Sequence, residues 1–90
     1  MKGKFYFVGT PIGNLKDFSQ NQIETLNNVD LILCEDTRTS KTLLDKYNIN
    51  KKLLSFHKFN YKEMTPKVID FLNNGENIAL ISDAGLPVIS

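Results

Sequence analysis

Four short apolar runs are spaced along the chain, and an amphipathic segment separates each from the next. Phe5-Tyr6-Phe7-Val8 is continuous and rich in β-formers, and Gly9 and Pro11 stop it, so it reads as a buried strand. Ser19-Gln20-Asn21-Gln22 has the spacing of a capping box, after which Ile23, Leu26 and Val29 follow at helical spacing. Residues 31–34 form a second strand-like run, ended by the polar cluster Glu35-Asp36-Thr37-Arg38. Thr39 or Ser40 then stands as the cap of a short helix carrying Leu43, Leu44 and Tyr47, with Asn48 as a left-handed stop. Residues 53–56 are a third, weaker strand. The helix after it has two possible starts: Asn60-Tyr61-Lys62-Glu63 as a capping box, or Thr65 as a cap with Pro66 at the first helical position. Met64, Val68, Phe71 and Leu72 share one face in either case, and Asn74-Gly75 ends the helix. Residues 78–81 are the fourth strand, stopped by Ser82-Asp83-Ala84-Gly85.

Strands alternating with helices predict a parallel sheet, and continuous apolar strands agree, because such strands are covered on both faces. The predicted fold class is thus α/β: a three-layer domain with a mostly parallel sheet of about four strands and helices on both faces. All 90 residues fit one small domain. The chain stops shortly after Gly85-Leu86-Pro87 without a closing helix, so it is expected to be part of something larger. In a parallel sheet every strand points the same way. Segments 9–14, 35–38, 57–60 and 82–85 are therefore expected to share the carboxyl edge, where open α/β sheets bind ligands.

Composition narrows the class. With 41% hydrophobic residues and a formal net charge of +1, the chain is no disordered tail. A single cysteine, Cys34, can form neither an internal disulfide nor a thiolate zinc site, so nothing points to secretion. No apolar run exceeds four residues, too short for a membrane span or a signal-peptide core, and a soluble cytoplasmic domain is expected. Charge is uneven: residues 46–67 hold six lysines against one acid, interleaved with Phe56, Phe59 and Tyr61. Lysines beside aromatics engage phosphates and stack bases, which makes this stretch a candidate RNA-facing surface; a solvated helix face is the plainer account.

Each rim segment carries candidate chemistry beside a structural alternative. Gly9-Thr10-Pro11-Ile12-Gly13-Asn14 sits where phosphate loops sit, yet it lacks both the Walker A ending and the dinucleotide spacing, and a tight turn explains it as well. Glu35-Asp36-Thr37-Arg38 is either a solvated loop with an internal ion pair or a ligand contact. Arg38 is the only arginine among eleven basic residues, and its planar fork suits bidentate phosphate or carboxylate contacts. His57 and Asn60 follow the third strand, where a histidine is either catalytic or structural. Zinc is not expected, since no second histidine exists and Cys34 lies within a strand. In Ser82-Asp83-Ala84-Gly85, small residues permit close backbone approach, and Asp83 can accept from a ribose hydroxyl or hold its own loop.

Taken in order, Val8-Gly9-Thr10-Pro11-Ile12-Gly13-Asn14-Leu15, the block from Val29 to Arg38, and Ser82-Asp83-Ala84-Gly85 resemble the tetrapyrrole methylase (class III methyltransferase) superfamily, and within it the N-terminal part of the small-subunit rRNA methyltransferases. The resemblance spans essentially the whole chain, and Ser55-Phe56-His57 with Asn60 matches the family's histidine-asparagine segment. Leu86 stands where threonine is frequent, Phe59 where a second histidine is usual, and Tyr61 where glutamate is usual. The resemblance implies S-adenosyl-L-methionine-dependent methylation of a cytidine ribose 2′-hydroxyl in the decoding region of small-subunit (16S) rRNA. It further implies a homodimer of two-domain subunits with the cofactor in the cleft between domains, acting on the rRNA or 30S subunit. The 90 residues are then the N-terminal domain, inactive alone. By the same resemblance Ser82, Asp83, Ala84 and Gly85 contact the cofactor. Thr10, Pro11, Gly13 and Asn14 shape the substrate side, with Arg38 and Asn60 as further substrate contacts. A ribose hydroxyl is a weak nucleophile and benefits from a nearby base, for which Asp36, Glu35 and His57 are the candidates. The rival readings are a sibling enzyme acting on a small tetrapyrrole and a non-catalytic nucleotide-binding module.

Overall fold

The computed structural model describes residues 2–9 and 18–82. Strand β1 is Phe5–Gly9 and helix α1 is Gln20–Asn28. The capping box at the start of α1 is formed. Ser19 Oγ accepts from the Gln22 amide at 3.1 Å, and Gln22 Oε1 accepts from the Ser19 amide at 2.9 Å. Strand β2 is Leu31–Cys34 and helix α2 is Thr37–Lys46. This helix starts two residues before the expected Thr39 cap, because Asp36 caps it: its carboxylate accepts from the Arg38 and Thr39 amides. Thr39 lies inside the helix and adds its hydroxyl to the same carboxylate, while Ser40 is buried beneath it. Asn48 ends α2 as expected, at φ 60°. The Asn48 and Ile49 amides donate to the Asp45 and Leu44 carbonyls, a Schellman motif whose apolar partners Leu44 and Ile49 are both buried.

Strand β3 is Lys52–Ser55, helix α3 is Tyr61–Asn73 and strand β4 is Ile78–Ser82. Of the two possible starts for α3, the earlier is found, but no capping box forms, since the Asn60 side chain makes no cap bond. Pro66 is an interior residue and not the first helical one, so it supplies no amide to the Lys62 carbonyl one turn back. Gly75, at φ 87°, closes the helix with a second Schellman motif, its amide donating to Leu72 and that of Glu76 to Phe71.

All three strand pairings are parallel, in the order β1-β4-β2-β3. The buried residues separate into two clusters, one on each side of the sheet. Tyr6, Val8, Ile32, Cys34, Ala79 and Ile81 pack with Ile23 and Leu26 of α1 and Leu43 and Leu44 of α2. Leu31, Leu33, Ile78 and Leu80 pack with Met64, Val68, Phe71 and Leu72 of α3. The three layers are therefore α1 and α2, the sheet, and α3, as the alternation of elements predicts. Strands β2 and β4 are buried throughout, while β1 and β3 form the edges. At the amino edge Asn77 joins three strands: its Oδ1 accepts from Lys4, its carbonyl accepts from Asp30, and its amide donates to the Asp30 carboxylate.

Candidate functional site

Parallel register brings the carboxyl ends of the strands together. Gly9 pairs with Ser82, Ile81 with Cys34, and Cys34 with Ser55, so one rim runs Gly9, Ser82, Glu35, His57. Thr10, Pro11, Gly13, Asn14, Asp83, Ala84 and Gly85 lie outside the described residues. The chain enters their two segments from Gly9 and Ser82, which are register partners. Ser82 is buried at the end of β4, whereas Glu35 and Arg38 are exposed.

The exits from the strands diverge. Beyond β2 the chain enters α2 on one face of the sheet, and beyond β3 it enters α3 on the other. Neighbouring strands whose connections leave to opposite faces open the crevice in which α/β sheets bind ligands, and 35–38 and 57–60 are its two lips. The cavity lined by Lys41, Asp45, Ile49 and Lys51 lies at the other end of β3, away from this rim.

The rim side chains divide by what they already hold. Asp36 is committed to the α2 cap, and hydrogen bonds from the Thr39 amide, the Arg38 amide and the Thr39 hydroxyl hold its carboxyl below the ordinary value of 3.8, with a smaller contribution from the Arg38 charge. Asn60 is committed to the loop before α3: its Oδ1 accepts from the His57 amide at 2.8 Å, and its Nδ2 donates to the carbonyl and hydroxyl of Ser55, both at 3.1 Å. His57 Nδ1 accepts from the Phe59 amide at 3.1 Å, which places the proton of the neutral ring on Nε2 and presents that nitrogen as a donor. Among the described residues, neither Glu35 nor the Arg38 guanidinium has a hydrogen-bond or ion-pair partner.

Two further residues, which sequence reasoning placed only in helices, shape this rim. Gln22 donates from Nε2 to the Gly9 carbonyl at 2.7 Å, tying the end of β1 to the start of α1. The Tyr47 hydroxyl accepts from the Phe18 amide at 3.2 Å, with the two rings 5.6 Å apart. Gly9 and Phe18, the described residues on either side of 10–17, are thereby each held by a side chain. The capping-box spacing marked Gln22, but nothing in the sequence signalled its second bond.

The sequence profile of the Tetrapyrrole (Corrin/Porphyrin) Methylases matches residues 4–90. The chain is 55% identical over 87 residues to the Ribosomal RNA small subunit methyltransferase I of Mycoplasmopsis pulmonis, covering 97% of this chain and 39% of that protein. It is 51% identical over 88 residues to the protein of the same name from Thermotoga maritima, with 98% and 40% covered. For that of Bacillus subtilis the identity is 50% over 88 residues, with 98% and 30% covered. The chain thus spans two fifths or less of the length of these curated relatives.

Proposed function

The chain belongs to the tetrapyrrole methylase family, and from that premise we propose that it is the N-terminal domain of an S-adenosylmethionine-dependent methyltransferase acting on a cytidine ribose 2′-hydroxyl of small-subunit rRNA. The observation that carries this reading is identity of 50–55% across nearly the whole chain to proteins named for small-subunit rRNA methylation. The lysine excess of residues 46–67 supports a polyanionic substrate. The working enzyme is a cytoplasmic homodimer whose second domain completes the cofactor cleft. Among the described residues, no helix is long and apolar enough to cross a membrane.

Among the described residues, a Cβ built on Gly9 meets nothing within 4 Å, and Ser82 lies beside it at the end of β4. Ser82, Asp83, Ala84 and Gly85 hold the cofactor in this reading, and Thr10, Pro11, Gly13 and Asn14 face the substrate. S-adenosylmethionine, when bound, supplies a methyl group activated by its sulfonium. The protein's task is alignment and proton removal. Glu35, exposed and without a side-chain partner among the described residues, is the carboxylate we assign to accept the ribose hydroxyl proton. Arg38 takes an RNA phosphate, and His57 Nε2–H donates to the nucleotide. Asp36 and Asn60 keep these groups in place by fixing the start of α2 and the loop before α3.

The test is tritiated methyl transfer from S-adenosylmethionine to unmethylated 30S subunits by the full-length protein that carries this chain. Label is expected at a ribose of the 16S rRNA, and Glu35→Gln is expected to lower kcat by about 100-fold or more with cofactor affinity unchanged. Absence of label overturns the function. Full turnover in the variant removes Glu35 from its role.

A further inference from the structure

We infer that Phe59 is a stacking platform for one unpaired base of RNA, with Lys58 holding the adjoining phosphate. The inference rests on the RNA reading above and names the residues that grip the strand. Phe59 is 84% exposed, the most exposed of the large apolar side chains among the described residues, although exposing an aromatic ring to water is unfavourable. The loop that carries it is firmly built. The His57 carbonyl accepts from the Asn60 and Tyr61 amides at 3.1 and 2.9 Å, the His57 ring accepts the Phe59 amide, and Asn60 ties the loop back to Ser55. The backbone of Phe59 is thus fixed while its ring is left out, which lowers the entropy lost on capturing a ligand.

The surroundings indicate what the ring meets. A protein-docking patch is a contiguous apolar area, whereas among the described residues the other exposed large apolar side chains are Phe5 and Phe7 on β1 and Ile69 further along α3, with none on the loop that carries Phe59. Its nearest partners are the His57 ring, edge-on at 6.0 Å, and Lys58 Nζ, 5.1 Å from the ring centroid. The other exposed phenylalanines, Phe5 and Phe7, lie on β1 at the far edge of the sheet. Lys62 is exposed one helical turn beyond, within the stretch that carries six lysines against one acid. One aromatic face among cations is the chemistry of single-stranded nucleic acid, whose base takes the ring and whose phosphates take the amines. Lys58 over one side of the ring leaves the other side for a base. The platform lies at the carboxyl end of β3, on the same rim as Glu35 and Arg38.

Fluorescence anisotropy of the full-length protein with a short labelled single-stranded RNA tests this, with an RNA duplex of equal length as the comparison. Phe59→Ala is expected to weaken single-strand binding about 5- to 100-fold, Phe59→Trp to restore it, and duplex binding to ignore both. Lys58→Ala is expected to reduce the slope of log affinity against log salt by about 0.7. Circular dichroism checks that each variant is folded. Unchanged affinity in Phe59→Ala, or equal loss in the alanine and tryptophan variants, overturns the platform. So does a Phe59→Ala protein that turns from dimer to monomer at constant RNA affinity, since the ring then meets another copy of the chain. The methyl-transfer assay separates the two readings. Methylation without a Phe59 effect overturns the platform alone, whereas single-strand binding through Phe59 without methylation overturns only the enzyme assignment.

Discussion

An aspartate that caps a helix gives up basicity, because the amides that bond it favour its charged form. Asp36 is in that position and Glu35, its neighbour, is not. The two carboxylates look equivalent in the sequence, and only the location of the helix start tells them apart. Since the folded-state pKa of Asp36 lies below 3.8, its contribution to stability is present above that pH and is lost as pH falls through the lowered value. Asparagine also caps helices but does not titrate. The difference in urea stability between wild type and Asp36→Asn is therefore expected to shrink on acidification below pH 3.8, while the variant keeps most of its turnover. A difference that persists undiminished in acid contradicts the capping account, and loss of turnover with cofactor binding intact returns Asp36 to the role of base. Asn60 offers the same lesson: a helix-cap position in the sequence, it is a loop tie in the structure, because Ser55 and the His57 amide lie within its reach.

At the scale of elements, helix ends were legible wherever the signal was local. Ser19 with Gln22, Asn48 after α2 and Gly75 after α3 each bond within a few residues, and each stands where the sequence predicts. The start of α2 was not legible, because Asp36, Thr37, Thr39 and Ser40 are all competent caps. Burial of Ser40 beneath the helix, a tertiary fact, excludes the last of them. Strand order also escapes local reading, although the strands that lack charge and are fully buried, β2 and β4, are the central ones. Gly3 is the clearest long-range dependence. Its amide donates to the Leu72 carbonyl at 2.8 Å, and a Cβ there would overlap the Glu76 carbonyl. The obstacle is backbone at the end of α3 and cannot swing aside. Gly3→Ala is expected to cost about 1–3 kcal/mol, read as a lower urea midpoint at unchanged m-value. An unmoved midpoint means that the segment before β1 does not pack against that helix end.

At the scale of the whole molecule, α3 covers only part of its side of the sheet among the described residues. It packs on β2 and β4 and leaves Phe5 38% and Phe7 57% exposed on β1, their rings 5.7 Å apart. An aromatic edge strand without a neighbour promotes self-association, and a lysine on such an edge opposes it. Phe7→Lys is expected to shift the sedimentation of these 90 residues toward monomer without lowering the urea midpoint; association that persists shows that contacts form elsewhere. The convergence of the strand ends on one rim was legible from the order of elements alone, since it needs only parallel strands. What the order could not reveal is which rim residues are already spent on structure. The place of β4 reaches beyond the finished fold. It is the last of the four described strands along the chain, yet it lies between β1 and β2. Strands β2 and β3, consecutive and adjacent, can pair as soon as both are translated, but β1 must wait for Ile78–Ser82 to emerge. Of the four strands β1 is thus made first and paired last, and until then its phenylalanines lack their native neighbours on β4.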